Sequence, residues 1–322
     1  MDKNAVFGTD MWISRVVLGT MTFGSQVDES EARQMVDRSL AAGINMFDTA
    51  NAYNAGESER MLGAALEGRR SEVLIATKVF NPMGEAPDDK GLSKSAIHKA
   101  IDASLERLRT DYVDVYYFHQ PDRATPIEES LAAMDALVEA GKVRHLGVSN
   151  YAAWQVSEIN CLHAGQGHPP VLVSQQMYNL LARRVEEEYA SYSERANLFD
   201  IVYNPLAGGL LTGKHTAGST PQQGTRFSQE MYRRRYWDEA HFDAVEQLRS
   251  VASDAGLSLV ELSFRWLLSR SLVDAVLVGA SSIEHLESNL AACEGSSLDQ
   301  EVSRRCDEVW ADLRGPAAAY NR

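Results

Sequence analysis

The sequence predicts an α/β protein: a (β/α)8 TIM barrel with an N-terminal β-hairpin and a C-terminal extra helix and tail, as one domain over residues 1–322. Eight short runs of β-branched and aromatic residues alternate with longer segments of helical periodicity. No linker rich in Pro, Gly or Ser divides the chain, which disfavours two separate open sheets. The length of 322 residues also suits a single barrel of this kind.

The remaining elements are placed around these strands. In front of the first strand, Gly8, Thr9 and Asp10 predict the turn of a short hairpin that would cover the bottom of the barrel. The stretch 205–237 reads as one unusually long loop, and a last helix is expected after Asp299. The predicted barrel strands cover residues 16–18, 44–47, 73–77, 113–118, 143–148, 171–174, 200–203 and 275–278.

Two of the predicted helices carry recognisable start signals. Asp28 with Glu31 three residues later is an N-terminal capping pattern, and the apolar residues after it recur with helical spacing. Thr125 repeats this logic as a cap, with Pro126 in the first turn of the helix. A strand follows each of these helices, as parallel strands joined by crossover helices require.

The composition disfavours several classes of partner and location. The chain has 31 basic and 45 acidic residues and a net charge of -14, so nucleic acid and anionic membranes are unfavourable partners. Cys161, Cys293 and Cys306 are too widely spaced for a disulfide framework or a zinc ribbon. Because no signal peptide and no long apolar run is found, we expect a cytoplasmic protein.

Four proton-handling side chains stand at or just beyond the ends of predicted strands. Asp48 ends the second strand, Tyr53 lies in the loop after it, Lys78 ends the third strand and His119 ends the fourth. Each residue alone could be a helix cap, a surface charge or a core histidine. Because the carboxyl ends of barrel strands meet at one face, their joint placement predicts an acid–base centre there.

The other strand ends carry polar groups but no set of metal ligands. His163 and His168 are five residues apart, a spacing that does not match a metal-binding helix, so no metal is expected. An organic cofactor suits this face better. The polar residues at these strand ends are Ser149, Asn150, Gln175, Tyr203 and the turn 279–281.

The four proton-handling residues at the strand ends resemble the catalytic tetrad of the aldo-keto reductase superfamily. Asp48 and Tyr53 lie in FDTANAYNAGESE, Lys78 in ATKV and His119 in YYFHQPD. The segments LGVSNYAAW, QQMYN, YNPLAGGLLTGK, MYRRRYW and SSIEHLESNLAA are similar, in order and spacing, to the branch of aflatoxin aldehyde and succinic semialdehyde reductases. The resemblance spans nearly the whole chain. It implies a (β/α)8 barrel that reduces aldehydes or ketones to alcohols with NADPH, with NADH the less favoured cofactor.

Carbonyl reduction explains why these residue types are needed. Hydride transfer leaves negative charge on the carbonyl oxygen, which requires a proton donor within hydrogen-bond reach, and the resemblance assigns Tyr53 to that role. The nearby ammonium of Lys78 would lower the pKa of Tyr53 from its usual value of about 10. Asp48 would keep Lys78 charged, and His119 would orient and polarise the carbonyl.

The resemblance also implies which residues hold the cofactor. Ser281 with Glu284 predicts a helix start, and such an end attracts phosphate. The residues implied around the nicotinamide ring and its carboxamide are Thr20, Met21, Ser149, Asn150, Gln175 and Tyr203. Those implied at the pyrophosphate and the adenosine phosphate are Pro205, Leu206, Gly208, Leu210, Lys214, Arg226, Gly279, Ser281, His285 and Asn289.

The glycine-rich segment 208–214 has a second interpretation. It matches a phosphate-binding P-loop except at the last position, where His215 replaces the required Ser or Thr that would bind magnesium. Phosphoryl transfer is therefore weakly supported. The absence of a Gly-x-Gly-x-x-Gly run also disfavours a doubly wound dinucleotide domain.

Substrate recognition is predicted from arginines. A run of three arginines at 233–235 would by default be a solvated face, but the resemblance places this segment at the pocket mouth. Arg233 or Arg235, together with the C-terminal Arg322, would favour aldehydes that bear a carboxylate. Two alternatives stay open: a cofactor-binding regulatory subunit that resembles channel β subunits, and a metal-dependent sugar isomerase. Relatives are often dimers, so a homodimer is one assembly that the resemblance suggests.

Overall fold

Eight parallel strands close into a barrel in a computed structural model that describes residues 1–221, 224–295 and 297–316. The barrel strands follow one another around the barrel in chain order, and the last of them, residues 275–279, pairs with the first, residues 16–19, so the barrel has no open edge. The predicted (β/α)8 TIM barrel is therefore confirmed. The strands are β1 (Lys3–Ala5), β2 (Trp12–Ser14), β3 (Val16–Gly19), β4 (Met46–Asp48), β5 (Leu74–Val79), β6 (Val113–Phe118), β7 (Val143–Ser149), β8 (Val173–Met177), β9 (Phe199–Tyr203) and β10 (Ala275–Gly279).

Helices connect the barrel strands and surround them. The stretch 205–237, predicted as one long loop, contains a helix and two short 3-10 turns, which shorten the irregular backbone. The final helix packs against the helix that follows this stretch. The helices are α1 (Glu29–Ala41), α2 (Glu57–Ala65), α3 (Lys94–Leu108), α4 (Ile127–Glu139), α5 (Ala153–Gln166), α6 (Tyr189–Ala196), α7 (Glu230–Tyr236), α8 (Glu239–Asp254), α9 (Leu259–Leu268), α10 (Ile283–Cys293) and α11 (Gln300–Arg314).

The core has two layers because alternate residues of each strand face opposite sides of the sheet. One layer fills the barrel interior, where Val17, Val115 and Tyr117 pack together, and the other lies between the barrel and the helices. The hairpin of β1 and β2 contributes Met11 and Ile13 to the interior layer. The hairpin therefore covers the bottom of the barrel, as predicted, and the opposite end is left for the site.

The two helix starts differ in how closely they follow the prediction. The Asp28 side chain accepts a 2.9 Å hydrogen bond from the Glu31 amide at the start of α1, as expected. In contrast, Thr125 does not cap α4, because its hydroxyl donates to the Asp122 carboxylate at 2.9 Å. Pro126 takes the cap position, without a side-chain hydrogen bond.

None of the helices within the described part of the chain combines the length and the apolar character that crossing a membrane requires.

Candidate active site

A cavity of about 800 Å³ opens at the carboxyl ends of the barrel strands. It collects residues from six of the eight strand ends and from the loops that follow them, which is where barrel enzymes place reactive groups. The residues named from the sequence that line it are Met21, Asp48, Tyr53, His119, Ser149, Asn150, Gln175, Tyr203, Pro205, Leu206, Gly208, Lys214, Arg226, Arg235, Gly279, Ser281, His285 and Asn289.

A buried ion pair lies at the base of this cavity. Lys78 and Asp48 are both fully buried, and the Lys78 ammonium donates to the Asp48 carboxylate and, at 2.7 Å, to the Thr49 carbonyl. Burial alone would lower the pKa of Lys78, but the charge of Asp48 and its hydrogen bond to the ammonium raise the pKa above its ordinary value. Lys78 therefore keeps its proton although it is fully buried. Burial raises the pKa of Asp48, and Lys78 only partly offsets this.

Tyr53 lies next to Lys78 of this ion pair, and its pKa differs from the prediction. The Lys78 Nζ atom is 5.1 Å from the centre of the Tyr53 ring. Desolvation raises the pKa of Tyr53 above its ordinary value of 10.0, although Lys78 acts in the opposite direction. The expected lowering is thus wrong for the protein without cofactor, because enclosure by the barrel outweighs one ammonium. Tyr53 is a neutral phenol that can donate a proton.

His119 stands beside Tyr53 as a neutral ring. The two ring centres are 6.0 Å apart, with the rings nearly perpendicular. Burial, and then the positive charge of Lys78, lower the pKa of His119 to about 3. The imidazole is therefore uncharged at any physiological pH and has one N–H donor and one acceptor nitrogen.

The polar strand ends of β7, β8 and β9 form a connected network. Gln175 donates to the Asp48 carboxylate at 2.9 Å, and its carbonyl accepts from the Ser149 hydroxyl at 3.0 Å. The Tyr203 hydroxyl donates to the Asn150 side-chain oxygen at 2.7 Å, while burial raises the pKa of Tyr203 to about 12. This network fixes the wall where the resemblance implies the nicotinamide.

Thr20 was predicted to border the nicotinamide, but it does not line the cavity and lies beneath it. Its hydroxyl contacts the Asp48 carbonyl at 3.1 Å and the Ser58 hydroxyl at 2.8 Å. Ser58 in turn contacts Thr49 at 2.9 Å. These buried hydroxyls clamp the ends of β3 and β4 together and so hold the ion pair, whereas Met21 is the residue that faces the cavity.

Another part of the cavity wall has basic and polar side chains. Lys214, Arg226 and His285 line it, and the Ser281 hydroxyl contacts His285 Nδ1 at 2.9 Å. The predicted cap of the following helix is off by one residue, because Ser282, not Ser281, accepts the backbone hydrogen bond at the start of α10. Ser281 is thereby left to face the cavity.

Two glycines of the glycine-rich segment 208–214 adopt backbone conformations that favour glycine. Gly208 and Gly209 have φ values of 70° and 106°, and a Cβ atom on Gly208 would come within 2.7 Å of Tyr232. Leu210, predicted to contact the cofactor, points into the core and is 1% exposed. His215, the mismatch to a P-loop, packs against an aromatic ring of Phe227 at 5.0 Å.

The structure describes two of the three arginines that were predicted to bind the substrate, and these two have different surroundings. Arg235 lines the cavity, and its charge acts on Tyr203. Arg233 was predicted at the mouth of the pocket, but it does not line the cavity. Its guanidinium instead donates to the carbonyls of Phe227 and Ser228 at 3.1 and 2.9 Å and so stabilises the loop. Arg322 lies outside the described residues.

Several residues at this site were not predicted from the sequence. Asn81 Nδ2 lies 3.2 Å from His119 Nδ1, and Gln26 donates to the Gly224 carbonyl at 2.9 Å, which links two loops over the cavity. Tyr232 also lines the cavity, where its hydroxyl accepts from Arg226 at 3.1 Å. Asn81 could have been found as a polar residue just beyond the third barrel strand, but Gln26 and Tyr232 carry no such signal.

The fold and the site together define a class of enzyme. A barrel holds a phenol and a neutral imidazole over a buried ammonium–carboxylate pair, and it opens into a cavity large enough for a nucleotide, with basic groups on its wall. Among the described residues, no three His, Cys, Asp or Glu side chains are grouped to hold a metal. This arrangement suits proton transfer coupled to an organic redox cofactor, as in barrel oxidoreductases.

Comparison with known proteins identifies the family. The model of the aldo/keto reductase family matches residues 15–311. The chain is 39% identical to aflatoxin B1 aldehyde reductase member 2 of Rattus norvegicus, over 91% of this chain and 84% of that protein. It is 36% identical to aldo-keto reductase family 7 member A3 of Homo sapiens, over 91% and 93% of the two chains. A probable voltage-gated potassium channel subunit beta of Oryza sativa subsp. japonica is 35% identical over 85% of each chain. The chain belongs to the aldo/keto reductase family and is an NAD(P)H-dependent oxidoreductase.

Proposed function

We propose that the protein reduces aldehydes to alcohols with NADPH and that Tyr53 is the proton donor. The observation that carries this proposal is the position of Tyr53 next to the buried Lys78–Asp48 ion pair at the base of the cavity. A phenol that faces the cavity lies next to a buried ammonium, whose counter-ion is a buried carboxylate. The relatives named as aflatoxin B1 aldehyde reductases support an aldehyde as the substrate.

The residues of the cavity fit a nicotinamide dinucleotide. Its volume of about 800 Å³ suits a large organic ligand. Ser149 and Asn150 offer hydrogen-bonding groups to a carboxamide, and Lys214 and Arg226 offer positive charge to phosphates. The two cations are the reason to propose the phosphorylated cofactor over NADH. When bound, the reduced nicotinamide supplies the hydride.

The side chains of this protein then handle the charge that develops on the substrate. The Tyr53 hydroxyl gives its proton to the carbonyl oxygen, so that an O–H bond forms as the phenol O–H bond breaks. Lys78 stabilises the resulting phenolate, and Asp48 keeps Lys78 charged and aimed. Neutral His119 donates its N–H to the same oxygen and orients the carbonyl.

The proposed substrates are aldehydes that carry a carboxylate. Arg235 lines the cavity near Tyr203, where a guanidinium can bind a carboxylate through two hydrogen bonds. Arg322 stays part of this proposal as a prediction from the sequence.

Binding of the cofactor without turnover is the competing function, because one relative is named a channel subunit. Loss of NADPH absorbance in the near ultraviolet, with succinic semialdehyde and 4-nitrobenzaldehyde, separates the two. We expect Tyr53→Phe to lower kcat at least ~10²-fold while NADPH still quenches tryptophan fluorescence. Tyr192→Phe, on α6 away from the cavity, is the matched control and should turn over normally. A wild-type protein that binds NADPH but oxidises it no faster than Tyr53→Phe would favour the binding role.

A further inference from the structure

We propose that Asn81 is a positioning residue that decides which nitrogen of the His119 ring carries the proton. The effect of Asn81 on catalysis rests on the proposed function, whereas the position of the His119 proton can be measured in the protein without cofactor. The Asn81 amide nitrogen lies 3.2 Å from His119 Nδ1, and both side chains line the cavity. No other residue of the described ranges forms a hydrogen bond with this ring.

The backbone of His119 leaves the ring only limited freedom. Its amide donates to the Val79 carbonyl at 3.0 Å, and its carbonyl accepts from the Asn150 side chain at 2.9 Å. The residue is thus held from the strand on one side and from the loop after β7 on the other. What stays undetermined by the backbone is the rotation of the ring and the position of its proton.

The chemistry of the two groups assigns that proton. A neutral imidazole has one N–H donor and one acceptor nitrogen. The pKa of His119, lowered to about 3 by burial and by Lys78, keeps the ring neutral. Because the Asn81 amide donates, Nδ1 must be the acceptor, and the proton is on Nε2. An Nε2–H group stabilises a carbonyl oxygen that gains negative charge, whereas an unprotonated Nε2 would repel it.

A second contact keeps Asn81 beside His119. The Asp122 carboxylate, in the loop after β6, accepts hydrogen bonds from the Leu92 amide at 2.8 Å and from the Thr125 hydroxyl at 2.9 Å. Leu92 belongs to the same loop as Asn81, and Asp122 belongs to the same loop as His119. The two loops are therefore tied together, and the distance from the amide to the imidazole does not depend on either loop alone.

The proton position is measured by ¹⁵N NMR on histidine-labelled protein without cofactor, with the His119 signals assigned from a His119→Gln sample. We expect a pyrrole-type Nε2 and a pyridine-type Nδ1 in the wild type. Asn81→Asp replaces the donor with an acceptor and should move the proton to Nδ1. Gln120→Leu changes another side chain of the cavity wall and should leave the tautomer as it is.

Kinetics give the second measurement. We expect Asn81→Leu to lower kcat/KM about tenfold, the weight of one hydrogen bond, and Asn81→Asp to lower it about 10²-fold at neutral pH. Activity of Asn81→Asp should rise as the pH falls, because a second ring proton restores the Nε2–H donor, and wild type should show no such rise.

A wild-type ring protonated on Nδ1, or an unchanged tautomer in a folded Asn81→Asp, would overturn the proposal. The wild-type spectrum decides even where a variant does not fold. If the tautomers are as expected but none of the tested aldehydes makes the wild type oxidise NADPH, the proposed reduction fails while the role of Asn81 stands.

Discussion

The Lys78 Nζ atom lies 5.1 Å from the centre of the Tyr53 ring, while its hydrogen bonds go to the Asp48 carboxylate and the Thr49 carbonyl. This geometry gives the ammonium two tasks. It neutralises a buried carboxylate, and in the proposed reaction it would stabilise the phenolate that Tyr53 becomes after proton transfer. The cost of burying the charges is offset only while both partners are present.

The first prediction concerns that pair. Lys78→Met should lower the free energy of unfolding by about 3–5 kcal/mol, because it leaves a buried carboxylate without a counter-ion. The double variant with Asp48→Asn should lose less than the sum of the two single losses. Urea unfolding of the four proteins measures this coupling. Lys142→Met, at an exposed pair with Asp102, is the control and should cost less than about 1 kcal/mol. Additive losses at 48 and 78 would contradict the coupling.

The second prediction concerns cofactor choice. Lys214→Met and Arg226→Leu should each raise the Kd for NADPH about tenfold, roughly the effect of one charge-assisted hydrogen bond, and change the Kd for NADH much less. Fluorescence titration with both cofactors tests this expectation. Arg234→Leu is the matched control, because Arg234 is exposed and pairs with Glu230. Equal weakening of both cofactors would mean that these cations do not read the extra phosphate.

The third prediction concerns the substrate. Arg235→Leu should raise KM for succinic semialdehyde about tenfold and leave KM for 4-nitrobenzaldehyde nearly unchanged, because only the first has a carboxylate. Arg322→Ala should act in the same direction. Arg233→Leu should instead loosen the loop that its guanidinium braces, with no difference between the two aldehydes. Steady-state kinetics with both substrates measures the ratio, and equal effects of Arg235→Leu on the two would exclude carboxylate recognition.

The fourth prediction concerns stability and pH, away from the site. Burial raises the pKa of Asp200 to about 8, and Ser193 and Tyr189 donate hydrogen bonds to its carboxyl group. An unfolded chain has a pKa of about 3.9 at this group. The folded state therefore binds more protons between these values, and stability should fall as the pH rises, by up to about 1.4 kcal/mol per pH unit.

Urea unfolding between pH 5 and pH 8 should show this fall in the wild type and much less of it in Asp200→Asn, which has no proton to lose. The exposed Asp243→Asn is the control and should follow the wild type. Parallel curves for wild type and Asp200→Asn would show that Asp200 is already ionised in the folded protein.

The sequence alone was sufficient to predict the barrel and the grouping of four side chains at the carboxyl ends of its strands. Strand and helix periodicity are local properties that can be recognised in the sequence. Because the parallel strands of a barrel present their carboxyl ends to one face, residues that follow different strands come close together in space. Asp48, Tyr53 and His119 line the cavity and Lys78 lies buried beneath it for this reason.

Properties that depend on several distant segments were accessible only from the folded chain. The pKa of Tyr53 is raised rather than lowered because desolvation sums over every element that encloses the ring. Whether Arg233 or Arg235 reaches the cavity depends on which carbonyls of the neighbouring loop compete for the guanidinium. Asn81 meets His119 because two loops, about 40 residues apart in sequence, are tied by one carboxylate. Burial and competition for hydrogen bonds are sums over neighbours in space, and periodicity along one segment carries no information about them.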